Sequence, residues 1–271
     1  MRELIDCHIH TQCCGHATGS VSQAVDAALS AGLIGIVMTE HLPLPDALNT
    51  GGLFAPSAAA FLEYARVVRE QADSSRGLQI VLGAEADWLP GHPEAMQHQL
   101  DTASAAGVEV LLGSVHFLGE WPFDSPDHLD EWERQGADAV WESYFATWCV
   151  AARSGRFGVM AHPDLPKKFG HKTSYDPSDL YREAAVAARE GCVMVEVSTG
   201  GLRKPVGEIY PGPALLAHFA DQGVAATAGS DAHSPAEVGF RIDAAYEALV
   251  VAGFDRVGLP MGGGEVRWVH L

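Results

Sequence analysis

The sequence predicts an α/β fold, and more specifically a distorted seven-stranded (β/α)7 TIM-like barrel. Seven short apolar runs recur along the 271 residues, and each run stops abruptly at charged or imidazole side chains. Segments with helical spacing of apolar residues separate these runs. Short apolar strands that alternate with helices are typical of parallel strands joined by crossovers. A closed barrel brings the polar carboxyl ends of all its strands to one rim, so we favour a barrel over an open doubly wound sheet.

Six of the seven predicted strands follow a glycine at which the preceding helix would end. In chain order, the runs with their polar endings are LIDCHIH, GLIGIVMTEH, LQIVLGAEAD, VEVLLGSVH, FGVMAHPD, CVMVEVSTGG and VAATAGSDAH. The glycines ahead of runs two to seven are Gly32, Gly77, Gly107, Gly155 or Gly158, Gly191 and Gly223. Each occupies the place where a left-handed residue terminates a helix, and therefore indicates a helix-to-strand turn.

The segments between the runs carry helix signals. Val21, Val25, Ala28 and Leu29 form an apolar stripe, and Asp176-Pro177 places a capping side chain and a first-turn proline before LYREAAVAARE. No strand is followed by a GxGxxG turn, so a dinucleotide-binding sheet has no support. The glycine-rich stretch FDRVGLPMGGGEVRWVHL lacks the polar ending of the other runs. We therefore expect seven strands rather than eight.

Composition and charge restrict the classes of function. A chain of this length that is 47% hydrophobic is typical of one globular domain, here spanning residues 1–271. Seventeen basic against 35 acidic residues give a net charge of -18, which disfavours nucleic-acid binding. The chain shows no secretory leader pattern and no apolar stretch of about 18 residues, so we expect a cytoplasmic protein without membrane contact. The five cysteines are expected to be reduced thiols: Cys7, Cys13, Cys14, Cys149 and Cys192.

Side chains that bind metal ions collect at the strand ends. His8 and His10 are two residues apart on the first predicted strand, so both point to the same face and can chelate one ion. Seven imidazoles and two carboxylates in one cleft need a shared cation, and such donors suit zinc, iron or manganese. The remaining members of this set are His16, His41, Glu85, His116, His162, Asp231 and His233.

Nine ligands exceed the capacity of one ion, so we expect two to three divalent ions. One carboxylate must then bridge two ions, and Glu85 is our candidate for the bridge. Asp6 shares the face of the first two histidines, and we expect it to accept a hydrogen bond from a histidine ring behind the metal site. The adjacent Cys13 and Cys14 are expected to be small apolar bystanders in a loop near the site.

The strand endings resemble those of the polymerase and histidinol phosphatase (PHP) superfamily, and within it the histidinol-phosphate phosphatase branch. DCHIH, TEH, GAEAD, GSVHFLGEWPFD, AHPDLPKKFG and GSDAHSP carry the resemblance, and HPDLPKKFG with GGLRKPVGEIYPG indicates the branch. The sequence departs from the family at Ser198, where asparagine is more usual, and in the QCCGHA loop, but neither departure removes a ligand. The resemblance implies three ions, held by His8, His10, Glu85 and Asp231, by Glu85, His116 and His162, and by His16, His41 and His233.

The resemblance further implies a metal-dependent phosphomonoester hydrolase that converts L-histidinol phosphate and water to L-histidinol and phosphate in histidine biosynthesis. We expect in-line attack by a hydroxide that bridges two ions, because clustered divalent ions activate water and neutralise phosphoryl oxygens. Arg203 suits the phosphate because its planar guanidinium donates two parallel hydrogen bonds. The expected catalytic residues are Glu85, Asp231, His233 and Arg203, and the expected substrate-binding residues are Arg203, Lys204 and His116. Weaker candidates are Lys167 and Lys168 for the phosphate, and Glu120 or Asp124 for the histidinol ammonium.

Other functions stay open at this point. The first alternative is a PHP phosphoesterase that acts on another small phosphate ester or a nucleotide. A metal-dependent amidohydrolase also begins with HxH and ends with Asp, but it commonly needs a carboxylated lysine where this chain has SVH. A PHP nuclease or proofreading module is disfavoured by the acidic charge. A non-catalytic metal-binding regulatory domain is the alternative from another class. The general acid, the identity of the metals and the oligomeric state are left open.

Overall fold

Strands and helices alternate along the chain in the computed structural model, which describes residues 2–49, 54–74 and 77–271. Within these residues the strands are β1 (Leu4–Ile9), β2 (Leu33–Met38), β3 (Gln79–Asp87), β4 (Val110–Ser114), β5 (Phe117–Leu118), β6 (Trp121–Pro122), β7 (Val159–Met160), β8 (Met194–Ser198), β9 (Ala226–Gly229), β10 (Arg256–Pro260) and β11 (Val266–His270). The helices are α1 (Val21–Ser30), α2 (Ala58–Asp73), α3 (Pro93–Ala106), α4 (Asp130–Gln135), α5 (Ala137–Arg153), α6 (Ser178–Glu190), α7 (Pro213–Asp221) and α8 (Ile242–Val251).

Seven of the strands form one parallel sheet that closes into a barrel. Their order is β1-β2-β3-β4-β7-β8-β9. The first and last strands meet just beyond their carboxyl ends, where His10 N donates to Ala232 O at 2.8 Å and Ala232 N donates to His8 O at 3.1 Å. Ile36 and Val37, neighbours on β2 that point to opposite faces, are both fully buried, so the sheet is covered on both sides. The predicted seven-stranded barrel is confirmed.

Local sequence signals account for the helix boundaries. α1 begins at a capping box, in which the Ser20 hydroxyl accepts from Gln23 N and the Gln23 side chain accepts from Ser20 N. At the start of α6, Asp176 Oδ1 accepts from Ser178 N at 3.1 Å, as expected of a capping side chain. The predicted first-turn position of Pro177 is wrong, because Pro177 is the N-cap residue and the helix begins at Ser178. The buried stripe of α1 consists of Val21, Ala24, Val25 and Ala28. Among the described residues, no helix is both long and apolar enough to cross a membrane.

The helix-to-strand turns follow the glycine pattern with one exception. Left-handed backbone occurs, as predicted, at Gly32, Gly77, Gly107, Gly155 and Gly223. The prediction for Gly191 is wrong, because its φ is -77° and the following Cys192 takes the left-handed conformation with φ of 53°. A Cβ at residue 191 would lie 1.9 Å from Ala152 O in α5. Glycine is therefore needed there for close packing of the α6 terminus on α5, not for its backbone angles.

The C-terminal stretch forms a hairpin outside the barrel, as its missing polar ending suggested. β10 pairs with β11 antiparallel, and neither joins the seven-stranded sheet. Leu259 lies against Gly35 near the start of β2, and Gly258 faces Met194 at the start of β8. Both contacts are at the amino-terminal ends of barrel strands, so the hairpin covers that end. The opposite rim, where the polar strand endings lie, is left for the site.

Candidate metal centre

The first group of ligands lies at the carboxyl end of β1. Nε2 of His8 and Nε2 of His10 are each 3.3 Å from the same oxygen, Oε2 of Glu85 on β3. Asp231, which follows β9, places Oδ1 3.7 Å and 3.6 Å from the same two nitrogens. His8, His10 and Glu85 are buried, and neither Nε2 has a hydrogen-bond partner within the part of the chain that the structure describes. Alternation along β1 points both imidazoles to one face, as the spacing predicted.

A second group lies on the other oxygen of Glu85. His162 Nε2 is 3.2 Å and His116 Nε2 is 3.6 Å from Glu85 Oε1, and the two nitrogens are 3.3 Å apart. The Ser114 hydroxyl also donates to Glu85 Oε1. Glu85 therefore turns one oxygen to each group, which is the arrangement that a bridging carboxylate needs.

The third group is made of histidines from three loops. His16 Nε2 and His233 Nε2 lie 3.1 Å apart. His41 Nδ1 is 3.2 Å from Glu85 Oε2, and its ring centroid is 5.3 Å from that of His16. Ligand atoms of His10, His41 and His233 all lie within 4.8 Å of one another, so His10 stands between the first and third groups. The structure thus brings all nine predicted ligands together.

Three buried carboxylates behind the ligands were missed by the sequence interpretation as partners of the histidines. Glu196 Oε1 on β8 accepts from His8 Nδ1 at 2.8 Å, and Asp87 Oδ1 accepts from His116 Nδ1 at 2.9 Å. Glu40 Oε1 lies 3.6 Å from Nδ1 of His10. A carboxylate at Nδ1 holds the proton there and leaves Nε2 free to bind a metal ion. A charged residue inside the apolar run VMVEVS was the available signal for Glu196.

The donor set fits divalent cations. With the proton on Nδ1, the Nε2 lone pairs of His8 and His116 point toward the oxygens of Glu85. Lone pairs that face one another in a buried site repel unless positive charge lies between them, from a proton on Nε2 or from a bound metal cation. Three overlapping triads have the composition and spacing of metal sites: His8, His10 and Glu85; Glu85, His116 and His162; and His10, His41 and His233. The last triad has His10 where the predicted third set has His16.

The charges around the site shift its pKa values in opposite directions. Burial lowers the pKa of His8, but the carboxylates of Glu196 and Glu85 raise it well above the usual imidazole value. Burial and the positive charge of His10 lower the pKa of His233 to about 3. Burial raises the pKa of Glu85, but the surrounding histidines hold it well below its usual range. The imidazoles around the carboxylate therefore do not share one charge state, and metal binding would require all of them to be deprotonated at the ligating atom.

Asp6 has a different role from the predicted one. Its carboxylate accepts from Ser230 N at 2.8 Å, from Gly239 N at 2.8 Å, from His8 N at 3.3 Å and from the Ser230 hydroxyl. These partners are backbone amides and a hydroxyl, not a histidine ring, so that expectation is wrong. Asp6 ties the loop after β9 to β1, and thereby positions the neighbouring Asp231.

Arg203 is engaged with the same loop. Its Nη2 donates to Ser230 O at 2.9 Å and to Asp231 O at 2.8 Å, and its Nε lies 3.3 Å from Glu237 Oε1. Its guanidinium carbon also lies 5.1 Å from the centroid of the Phe240 ring. The role that these contacts define is to hold the loop that carries Asp231. Binding of phosphate by Arg203 stays a prediction.

A cavity of about 450 Å³ opens over the ligands. Lys204 and Lys168 line it, and Lys168 Nζ is 2.9 Å from Asp124 Oδ2. Lys167 turns to Asp164 and to the Ile209 carbonyl, at 2.9 Å and 2.7 Å from its Nζ. Asp124 and Asp127 also line the cavity, and part of the wall is apolar, with Leu44, Phe54, Phe117 and Pro122. Of the two candidates for the histidinol ammonium, Asp124 lines the cavity, whereas Glu120 is not among the described residues that line it. Asp127 is a further acidic residue of the lining.

Fold and site together define an α/β barrel with a multi-histidine metal centre at the carboxyl ends of its strands. A model of the PHP domain family matches residues 6–200, and the chain belongs to this family.

Relatives and solved structures extend the match over almost the whole chain. A protein of Deinococcus radiodurans named "Probable histidinol-phosphatase" is 39% identical over 257 residues, covering 93% of this chain and 95% of the relative. The Histidinol-phosphatase of Bacillus subtilis is 29% identical, covering 90% and 97%. The crystal structure of a histidinol phosphate phosphatase from Lactococcus lactis, complexed with zinc, L-histidinol and phosphate, superposes with a TM-score of 0.80 at 18% identity, covering 98% of this chain and 100% of that one.

Proposed function

We propose that the protein is a metal-dependent phosphomonoester hydrolase whose substrate is L-histidinol phosphate. The observation that carries the proposal is the shared carboxylate of Glu85, whose two oxygens face two separate groups of histidines beneath one cavity. The relatives named for this activity match nearly end to end, at up to 39% identity. The complete set of nine potential ligands argues against a non-catalytic relative with a degraded site.

Two to three divalent ions, zinc, iron or manganese, would be held by the predicted ligand sets. When bound, they supply an activated water nucleophile and neutralise charge on the phosphoryl group. Within the protein, Glu196 and Asp87 keep the protons of His8 and His116 on Nδ1. The chain thus holds these imidazoles in the tautomer that metal binding needs.

The cavity walls suit the two ends of the substrate. Lys204 lines the same cavity as Asp231 and supplies positive charge for the phosphate. Asp124 partly neutralises Lys168. Burial raises the pKa of the Asp124 carboxyl, but the ammonium of Lys168 lowers it, and the net result is a pKa below the usual value. Asp127 is an exposed residue of the cavity lining and provides negative charge for the ammonium and imidazole of histidinol.

Steady-state kinetics test the proposal. The protein is stripped with chelator, reloaded separately with zinc, manganese or iron, and assayed on L-histidinol phosphate and on a panel of sugar phosphates and nucleotides. We expect chelation to abolish activity and kcat/KM to favour L-histidinol phosphate by about 100-fold or more, which is about 2.7 kcal/mol of discrimination. Preference for another ester refutes the substrate, and no hydrolysis of any ester by metal-loaded protein refutes the class.

A further inference from the structure

The phenol of Tyr210 is a buried polar group that the roles above do not use. Tyr210 is 1% exposed and lies after β8, and the cavity that it lines is also lined by His162, Asp231 and Lys204. Among the described residues its Oη has no hydrogen-bond partner. A buried hydroxyl without a partner is destabilising, so such a group at a cavity wall indicates an acceptor supplied by a ligand.

The position of the ring is closely determined. Ser198 N donates to Tyr210 O at 2.6 Å, and Tyr210 N donates to Ser198 O at 2.9 Å, which joins the loop to the end of β8. A Cβ at Gly201 would lie 2.9 Å from two carbons of the ring, so only glycine allows this approach. Lys167 Nζ lies 5.4 Å from the ring centroid. The phenol is therefore held in place before any ligand arrives, as an effective donor must be.

The surroundings keep the phenol protonated. Burial raises the pKa of Tyr210, and the negative charges of Asp164, Asp231 and Asp124 raise it further. At neutral pH the hydroxyl is thus a hydrogen-bond donor and is not available as a base. An anionic oxygen suits such a neutral donor, and Lys204, which lines the same cavity, supplies positive charge for it.

We propose that Tyr210 Oη donates a hydrogen bond to a phosphoryl oxygen of the substrate, and so is a catalytic residue of this site. The inference rests on the proposed function, because it assigns to Tyr210 the phosphate of that reaction. Tyr210 and Asp127 both line the cavity, but Tyr210 is buried in its wall whereas Asp127 is exposed.

The test compares Tyr210→Phe, which removes only Oη, with Tyr181→Phe as the matched control. Tyr181 packs on Phe145 and does not line the cavity. We expect Y210F to retain its metal content and thermal stability while kcat/KM falls about 10- to 100-fold, the range for a lost hydrogen bond to a charged group. The loss should be equal for L-histidinol phosphate and phenyl phosphate, and Y181F should match the unsubstituted protein.

Calorimetric titration with inorganic phosphate, on metal-loaded protein freed of excess metal, gives a readout that does not need turnover. We expect the Kd of phosphate to rise in Y210F and inhibition by L-histidinol to be unchanged. Equal affinity for phosphate in Y210F and the unsubstituted protein overturns the inference. It is also overturned if Y210F loses affinity only for L-histidinol, or if the unsubstituted protein binds no phosphate. If the unsubstituted protein binds phosphate but hydrolyses no ester, the proposed function is refuted. The effect of Y210F on phosphate affinity can still be measured in that case.

Discussion

Substitution of Glu196 by Gln tests the idea that carboxylates behind the ligands set their tautomers. Glu196 is fully buried, and its two oxygens have different partners: Oε1 accepts from His8 Nδ1 at 2.8 Å, and Oε2 accepts from His162 N at 2.9 Å. Glutamine offers one oxygen and one amide nitrogen. The backbone N–H of His162 can only donate, so the glutamine oxygen must face it and the NH₂ must face His8. His8 can then accept at Nδ1 only by moving its proton to Nε2, the atom that faces Glu85.

The expected magnitude follows from this exchange of tautomers. Loss of such a partner typically weakens metal binding by about 10- to 100-fold, which is about 1.4 to 2.7 kcal/mol. The effect should be concentrated on the ion held by His8, because His162 keeps its amide contact. Folding should be affected much less, since the side-chain volume is unchanged.

Competition with a chromophoric chelator measures the affinity of each ion, and elemental analysis gives the metal content. Glu109→Gln is the control. Glu109 Oε1 accepts a hydrogen bond from Leu82 N at 3.2 Å, and among the described residues no imidazole bonds to Glu109. E109Q should bind metal as the unsubstituted protein does. If E196Q also retains unchanged affinity at every ion, the tautomer argument is refuted.

Three further predictions concern the bridge, the packing of the barrel and the thiols. Glu85→Gln removes charge shared by two ligand groups, so we expect loss of at least one ion by elemental analysis and a fall of about 10³-fold or more in kcat; full activity with full metal content would contradict the bridge. Gly191→Ala puts a Cβ 1.9 Å from Ala152 O, and chemical denaturation should show a loss of about 1–3 kcal/mol, which a neutral result would disprove. Burial raises the pKa of Cys13 and of Cys14 to about 12, so both stay as neutral thiols at pH 8 and their alkylation should rise about tenfold per pH unit up to that value. Peptide mapping after iodoacetamide treatment checks this, and rapid labelling at pH 8 would show the reasoning to be wrong.

Gly158→Ala serves as the packing control for Gly191→Ala. A Cβ at Gly158 would meet its nearest neighbour, Leu111 O, at 3.8 Å, an ordinary contact distance. We expect its free energy of unfolding to stay within about 0.5 kcal/mol of the unsubstituted protein, far less than the change at Gly191. Equal losses in the two variants would mean that the approach to α5 is not the cause.

Much of the candidate site could be predicted because its residues are chemically conspicuous. His8 and His10 stand at the end of an apolar run, and the later runs end in the same kinds of side chain. Parallel strands in a closed barrel bring such ends to one rim whatever the details of packing. The candidate ligands could therefore be predicted from the run pattern and the barrel alone, and their number called for a bridging carboxylate, for which Glu85 was the candidate.

The contacts behind the ligands could not be predicted in the same way. Asp6 and Glu196 are both buried carboxylates on barrel strands, and either could serve a histidine ring. The neighbours of β1 decide between them: Glu196 reaches His8 across the barrel interior, whereas Asp6 meets the backbone of the loop after β9. Arg203 was expected at the phosphate for its chemistry, but its nearest acceptors are carbonyl groups of that same loop.

The sequence by itself determined the barrel, the strand ends and the types of ligand, since these follow from periodicity along the chain and from side-chain chemistry. Only the tertiary structure decided which carboxylate pairs with His8, why residue 191 is glycine, and that the Tyr210 phenol at the cavity wall has no partner among the residues described. The physical reason is that hydrogen bonds and close contacts depend on distances of a few tenths of an ångström between distant segments. Periodicity sets the face on which a side chain lies, and packing alone sets what it meets there.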